Sequence, residues 1–150
     1  EVGNEGTVDN ISVKEINPLG ISIQMDGTMT GASSTFADWT LDASNGILMQ
    51  SGASDFTFTQ EAAGVVDTVT GGSYTSGVNV DFNLAARHGS TFINGAVDGT
   101  ALTANTTPTA LPDLSATNFK VAPTFNGNIG KVRVWSDDLG DTGIAEGSTP

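Results

Sequence analysis

Length, composition and charge already exclude several classes of protein. The chain has 150 residues, of which 19 are glycine, 37% are hydrophobic and only 15% are charged, a composition that fits one domain and favours strands and tight turns. Its 17 acidic residues against five basic ones give a formal charge of −12, which repels phosphate backbones and argues against nucleic acid as a partner. There is no cysteine, which excludes disulfides and cysteine metal sites, and no apolar run approaches the roughly 20 residues of a membrane span.

The N-terminal residues 1–18 form a predicted strand and linker. Residues 7–16 alternate apolar with polar side chains, and Asn17-Pro18-Leu19-Gly20 then predicts a turn. Residues 1–17 resemble the last strand and exit linker of carbohydrate-binding-module-like domains. Two interpretations stay open: this segment ends a preceding domain, or it is the first strand of the domain that we assign to residues 19–150. Because the chain begins at Glu1, we expect it to be part of a longer protein.

The remaining chain shows the two-residue period of half-buried strands. This period predicts strands at residues 21–25, 36–41, 47–49, 56–59, 64–70, 78–86, 114–121 and 128–135. Asn45-Gly46 and Asn94-Gly95 lie between apolar stretches, so both predict hairpin turns. Gly130 breaks the phase of the last strand and predicts a β-bulge, and Asp141 is predicted to cap one helical turn. Ten to twelve short strands predict an all-β, antiparallel β-sandwich jelly roll.

The last strand carries a resemblance to a known fold. Val132 and Val134 face one side and Lys131, Arg133 and Trp135 the other, and a loop and Leu139 follow. This order is similar to the closing strand of laminin-G-like, concanavalin A-like jelly rolls. The stretch 92–97 is similar to a hairpin of the same family.

A narrower resemblance points to viruses of bacteria. The segments 82–89, 94–95 and 132–139 together look like domains that end bacteriophage tail and other virion proteins. The resemblance implies a virion surface, and therefore extracellular, location as part of a tail fibre, a spike or a capsid decoration. It also implies other virion proteins and host surface polysaccharide as partners, and a homo-oligomer.

No catalytic or metal-binding pattern is present. Glucanases of this fold use two carboxylates on one strand face for hydrolysis, and that spacing is missing here. We therefore expect no enzyme, and a glycan hydrolase ranks below a binding or a structural role. Calcium sites need several converging oxygen ligands, but no Asp-x-Asp run occurs, so we expect no cofactor and leave calcium without a motif to support it.

Four residues are candidates for ligand binding. Tyr74 in a glycine-rich loop and Trp39 offer aromatic rings on which the apolar face of a sugar can stack. Arg87 offers a planar fork for a sugar carboxylate or a phosphate, although pairing with one of the many acids is the alternative. His88 is the single histidine, so any mechanism that needs an imidazole depends on it.

Overall fold

A computed structural model describes residues 20–150, so the prediction for residues 1–18 lies outside the described residues. Ten strands and one helix follow one another in this part of the chain. They are β1 (Gly20–Met29), β2 (Thr35–Asp42), β3 (Asn45–Ser51), β4 (Phe56–Ala62), β5 (Val65–Gly71), β6 (Val80–Gly89), β7 (Ile93–Val97), β8 (Thr100–Ala101), β9 (Lys120–Thr124), β10 (Gly127–Trp135) and α1 (Gly140–Gly147).

The strands form two five-stranded sheets that pack face to face. Sheet A has the order β10-β1-β6-β7-β8, and sheet B has the order β5-β4-β3-β2-β9. Every pair of neighbouring strands is antiparallel. The prediction of an all-β, antiparallel sandwich is therefore confirmed.

The core lies between the two inner faces, and both sheets supply it through alternate residues, apart from the consecutive pair Phe36 and Ala37 at a register shift of β2. Sheet A contributes Ile23, Met25, Met29, Phe82, Leu84 and Ala86, and sheet B contributes Phe36, Ala37, Ile47, Met49, Phe56 and Phe58. The two-residue period of the sequence therefore marks the buried face of most strands. Val78 is the exception at the start of the predicted strand 78–86, since it lies outside β6 and is 76% exposed.

The Asn94-Gly95 prediction is wrong, because this pair lies in the middle of β7 rather than in a turn. Asn94 pairs with Arg87 and Gly95 pairs with Ala86 across the sheet. The chain turns at Asp98-Gly99, where φ is 47° and 79°, the left-handed pair that a type I′ turn requires. Gly95 serves packing instead, because a Cβ at this position would overlap the ring of Phe58 in the opposite sheet.

The other local predictions had mixed outcomes. The hairpin between β2 and β3 exists, but Asn45-Gly46 begins β3 and the two residues before it make the turn. The predicted strand 114–121 is mostly loop, since β9 begins only at Lys120. The bulge at Gly130 is confirmed, because the pairing steps from Asp26–Lys131 to Gly27–Ile129 and leaves Gly130 without a partner.

Helix α1 covers part of the outer face of sheet A. Ile144 is fully buried against Ala85 and Ala96, two small residues that leave room for a helix to approach the sheet. The predicted capping role of Asp141 is wrong, because the helix has no side-chain cap and the carboxylate of Asp141 binds side chains of sheet A instead.

Candidate functional site: the Tyr74 rim

The structure does not bring the four predicted ligand-binding residues together. The ring of Tyr74 packs against Phe56, which packs against Phe36. Phe36 in turn contacts Phe82, so Tyr74 lies near the start of β6. Arg87 and His88 lie at the other end of β6, six residues or about 20 Å further along the strand. Arg87 and His88 are themselves separated, because neighbouring residues of a strand point to opposite faces of the sheet.

His88 points into the sandwich and is completely buried. Neither ring nitrogen has a hydrogen-bond partner among the described residues. Burial disfavours the charged imidazolium and lowers the pKa of His88 from 6.5 to about 3. Asp81 lies on the same strand, but it pairs with Thr28 at the far end of β6, so it and His88 do not form a catalytic pair.

Arg87 lies on the outer face of sheet A, where its guanidinium holds α1 and the preceding loop. Its Nη1 donates to Asp141 at 2.8 Å, and its Nη2 donates to Asp138 at 3.0 Å. The guanidinium carbon lies 4.0 Å from the centre of the Phe92 ring, in cation–π geometry. The guanidinium of Arg87 thus pairs with acids of the fold, which is the alternative that the sequence left open, and the acids are Asp138 and Asp141.

Trp39 is half-buried and faces the core. Its indole Nε1 donates to the carbonyl oxygen of Thr117 at 3.3 Å, and its ring packs edge-on against Phe119 at 5.7 Å. These contacts attach the loop before β9 to sheet B. Trp135 is also half-buried, but it lies on the outer face of sheet A opposite Ser22.

Tyr74 is the candidate ring with a fixed position at an end of the sandwich. Its hydroxyl donates to the carbonyl oxygen of Gly52 at 2.6 Å, and its backbone N–H donates to the carbonyl oxygen of Ser54 at 2.9 Å. Its ring centre lies 4.9 Å from that of Phe56, and the side chain remains half-buried. The side chain is therefore held at its hydroxyl and at its ring, while Tyr74 as a residue remains partly exposed.

Three loops surround this tyrosine, residues 30–34, 52–55 and 72–79, and we call them together the Tyr74 rim. Backbone bonds connect the loops, from Gly31 N to Gly77 O at 2.8 Å and from Ser33 N to Gly52 O at 3.2 Å. Exposed hydroxyl and amide side chains crowd the rim at Ser33, Ser54, Ser73, Thr75, Ser76 and Asn79. Asp55 is the one charged residue in the three loops.

The rim was only partly visible in the sequence. Its serines and glycines gave turn signals, and Tyr74 was recognisable as a ring in one of those turns. The proximity of Gly52 and Ser54 to Tyr74 had no sequence signal, because it depends on how β4 and β5 are paired. The arrangement offers a partly exposed tyrosine beside neutral hydrogen-bonding groups, which suits a neutral, hydroxyl-rich ligand.

The fold of this chain is similar to that of neurotoxin binding domains. A binding domain of botulinum neurotoxin DC in complex with rat synaptotagmin II superposes with a TM-score of 0.61 at 15% identity, over 85% of this chain and 35% of that chain. The same kind of domain in complex with SialylT gives a TM-score of 0.64 at 12% identity, over 85% and 34% of the two chains. A structure of botulinum neurotoxin type C, whose access to cells depends on two ganglioside molecules, gives 0.59 at 14% identity, over 85% and 35%.

These similarities establish a shared β-sandwich fold. The chain spans about a third of the length of these neurotoxin domains. No protein-family model matches the sequence, and no curated protein matches it.

Two kinds of feature are absent from residues 20–150. No group of three or more histidine or acidic side chains in this range could hold a metal ion. Within the same range, no helix is long and apolar enough to cross a membrane.

Proposed function

We propose that this domain is a non-enzymatic recognition module on the surface of a bacteriophage virion, and that it binds host cell-surface glycan through the Tyr74 rim. The observation that supports this most is the geometry of Tyr74. Its ring is fixed by Gly52, Ser54 and Phe56 before any ligand arrives, so binding need not pay the entropy of ordering it.

The chemistry around the ring supports a neutral glycan as ligand. Sugars combine apolar faces, which stack on aromatic rings, with hydroxyls, which need donors and acceptors at defined positions. The rim provides serine, threonine and asparagine side chains with a single carboxylate, that of Asp55. The fold likeness to toxin binding domains is compatible with such a role and supplies no site residue.

A purely structural fibre or capsid module is the alternative. The outer face of sheet B favours it, because the paired strands β4 and β5 present a row of threonines there. Thr57 and Thr59 of β4 pair there with Thr70 and Thr68 of β5. Other virion proteins would be the partners in this case, through protein–protein contacts alone.

Binding of the isolated domain to purified host surface polysaccharide, with and without calcium, tests the proposal. We expect specific binding that does not need calcium. Tyr74→Ala removes the ring and should lower the affinity by roughly 5- to 150-fold, because the loss of a stacking ring costs on the order of 1–3 kcal/mol when the stacked group is a nucleic-acid base, and we expect a similar magnitude for a sugar face.

Two matched variants make the test specific. Tyr74→Phe keeps the ring and loses only the hydrogen bond to Gly52, so it should retain most of the affinity. Trp135→Ala removes a half-buried ring at a place away from the rim and should leave affinity unchanged. Absence of binding in both buffers would favour the structural alternative, and a released sugar product would contradict a non-enzymatic role.

A further inference from the structure

Three Asn-Gly pairs occur in the chain, at residues 45–46, 94–95 and 126–127. This dipeptide is chemically labile, because glycine has no side chain to hinder attack of its backbone nitrogen on the side-chain carbonyl carbon of the preceding asparagine. The attack has three requirements: an amide side chain that can turn, a glycine nitrogen that is not already bonded elsewhere, and access of water. The fold meets these requirements to a different extent at each pair.

Asn94-Gly95 is protected by burial and by hydrogen bonds. Asn94 is fully buried, and its Nδ2 donates to the carbonyl oxygen of Leu102 at 3.1 Å and to Asp141 at 2.8 Å. The nitrogen of Gly95 donates its proton to Oδ1 of Asn94 at 2.9 Å. This proton must leave before the nitrogen can attack, and in the middle of β7 it is shielded from water.

Asn45-Gly46 is held by the hairpin between β2 and β3. The Asn45 side chain donates through Nδ2 to Asp42 at 3.0 Å and accepts through Oδ1 from the N–H of Ala63 at 3.0 Å. Gly46 is buried in an inner strand, between β2 and β4. Reaction at this pair therefore requires local opening of the hairpin, and the small population of the open state limits the rate.

The exposure of Asn126-Gly127 meets the first and the third requirement. Both residues are exposed, at the turn between β9 and β10. Within residues 20–150 the side-chain amide of Asn126 has no hydrogen-bond partner, whereas those of Asn45 and Asn94 are both held. The amide of Asn126 can therefore turn, and water reaches it.

The place of Gly127 in the sheet meets the second requirement. The carbonyl oxygen of Asn126 accepts from the N–H of Thr30 at 2.7 Å, so these two residues form a hydrogen-bonded pair. Hydrogen-bonded and non-hydrogen-bonded pairs alternate along antiparallel strands, so the next pair, Met29 and Gly127, is of the second kind. The N–H of Gly127 consequently points away from β1, toward the side of β10 that is the edge of sheet A among the described residues.

Packing also requires a glycine at position 127. A Cβ there would overlap the carbonyl oxygen of Thr28 in the neighbouring strand. The glycine is thus needed by the fold, and the labile pair can be removed only by replacing Asn126.

We propose that Asn126 is a modification site of this domain, where the side chain deamidates spontaneously through a succinimide. The Gly127 nitrogen forms a bond to Cγ of Asn126, the Cγ–Nδ2 bond breaks, and Nδ2 leaves as ammonia with the proton that the Gly127 nitrogen gives up. Water then opens the ring at either carbonyl and leaves aspartate or isoaspartate at position 126. Both products add a negative charge, and isoaspartate also adds one carbon atom to the backbone.

The modified turn is joined to the Tyr74 rim. Thr30, which donates to the Asn126 oxygen, begins the rim loop 30–34, and its neighbour Gly31 donates to Gly77 of another rim loop. An extra backbone carbon at position 126 displaces the acceptor of Thr30, so isoaspartate should loosen the loop 30–34.

Peptide mapping of the isolated domain tests the proposal, because trypsin places each of the three pairs in a peptide of its own. In chain order these peptides are 15–87, 88–120 and 121–131. The domain is incubated in mildly alkaline buffer, and the mass change from amide to carboxylate is followed in each peptide. We expect peptide 121–131 to deamidate roughly tenfold faster or more than the other two, since the protected pairs react only from locally opened states.

Two controls make the assignment specific. Asn126→Gln keeps an exposed amide but closes the larger ring far more slowly, so peptide 121–131 of this variant should stay unchanged. A mass change that persists there would assign the reaction to Asn128 and overturn the proposal. In urea the three pairs are exposed alike and their rates should converge, whereas a difference that persists in urea would show that the fold does not cause it.

Hydrogen exchange tests the connection to the rim. The amides of Thr30 and Gly31 should exchange faster in isoaspartate-containing protein than in fresh Asn126→Asp, which carries the charge without the extra carbon. Equal exchange would overturn this connection, and faster deamidation in either of the other peptides, or none in peptide 121–131, would overturn the site itself. Glycan binding enters none of these readouts, so the proposal stands or falls independently of the recognition function.

Discussion

His88 shows how a single buried residue sets the response of this fold to acid. Its ring lies in the core without a hydrogen-bond partner among the described residues, and its pKa is lowered from 6.5 to about 3 because burial disfavours the charged form. The unfolded chain therefore binds one more proton than the folded chain between pH 6.5 and pH 3. The stability that the neutral His88 contributes is complete above pH 6.5 and is lost as the pH falls through that window.

We expect the free energy of unfolding to decrease by about 1.4 kcal/mol for each pH unit below 6.5 as a result of this residue. His88→Leu removes the proton and leaves an apolar side chain of similar size, so its stability should depend much less on pH. Urea titrations between pH 7 and pH 5 measure how the free energy of unfolding of each protein changes with pH. Asp42 and Asp113 do not interfere in this range, because their pKa values are lowered from 3.8 and they titrate in more acidic solution. Equal slopes for the two proteins would show that His88 is reached by water or a partner.

Arg87 is a second single residue on which the fold depends, because its side chain connects β6 to α1. It contacts Asp138, Asp141 and Phe92, with only 13% of its side chain exposed. Arg87→Met leaves both carboxylates without their cation, and we expect a loss of about 1–3 kcal/mol of stability, together with faster hydrogen exchange in α1.

Lys131→Met is the control for Arg87→Met. This variant also removes one positive charge. Lys131 pairs with Asp26 at 3.6 Å and half of its side chain is exposed, so the loss of stability should be less than about 1 kcal/mol. If both variants lose the same stability, net charge rather than the contacts of Arg87 is the cause.

At the scale of the element, β7 shows that a hairpin dipeptide is not always a turn. Gly95→Ala should destabilise the protein by about 1–3 kcal/mol, because the added methyl group overlaps the Phe58 ring and the two sheets must separate to admit it. Gly77→Ala is the matched control, since the nearest atom to its new Cβ lies 3.9 Å away. Thermal or chemical unfolding of the two variants measures the difference. If the two variants were equally stable, the close approach of β7 to Phe58 would be disproved.

The edge strands are the second feature that belongs to this scale. β10 combines charge with a bulge, and β9 combines charge with a proline, whereas β5 is regular and nearly uncharged. The sequence shows which strands contain charged residues, proline or a glycine that permits a bulge. It does not show which strands are edges, because that depends on the order of strands in the sheets.

At the scale of the whole molecule, the sandwich determines which residues can cooperate. Strands that run the length of the domain separate the Tyr74 rim at one end from Arg87 and His88 at the other. A ligand of small size cannot touch both groups. The proposed recognition function therefore relies on Tyr74 alone among the four predicted residues, and the neurotoxin domains of similar fold add no position to it.

The sequence by itself determined the fold class, the buried face of most strands and the bulge at Gly130. These features follow from local rules, since alternation, glycine and turn residues act on neighbouring backbone. Only the tertiary structure decided that Asn94-Gly95 is strand, that Arg87 pairs with Asp138 and Asp141, and that Tyr74 and His88 lie far apart. Those outcomes depend on contacts between residues distant in the chain, which strand order and sheet packing create and which no local pattern encodes.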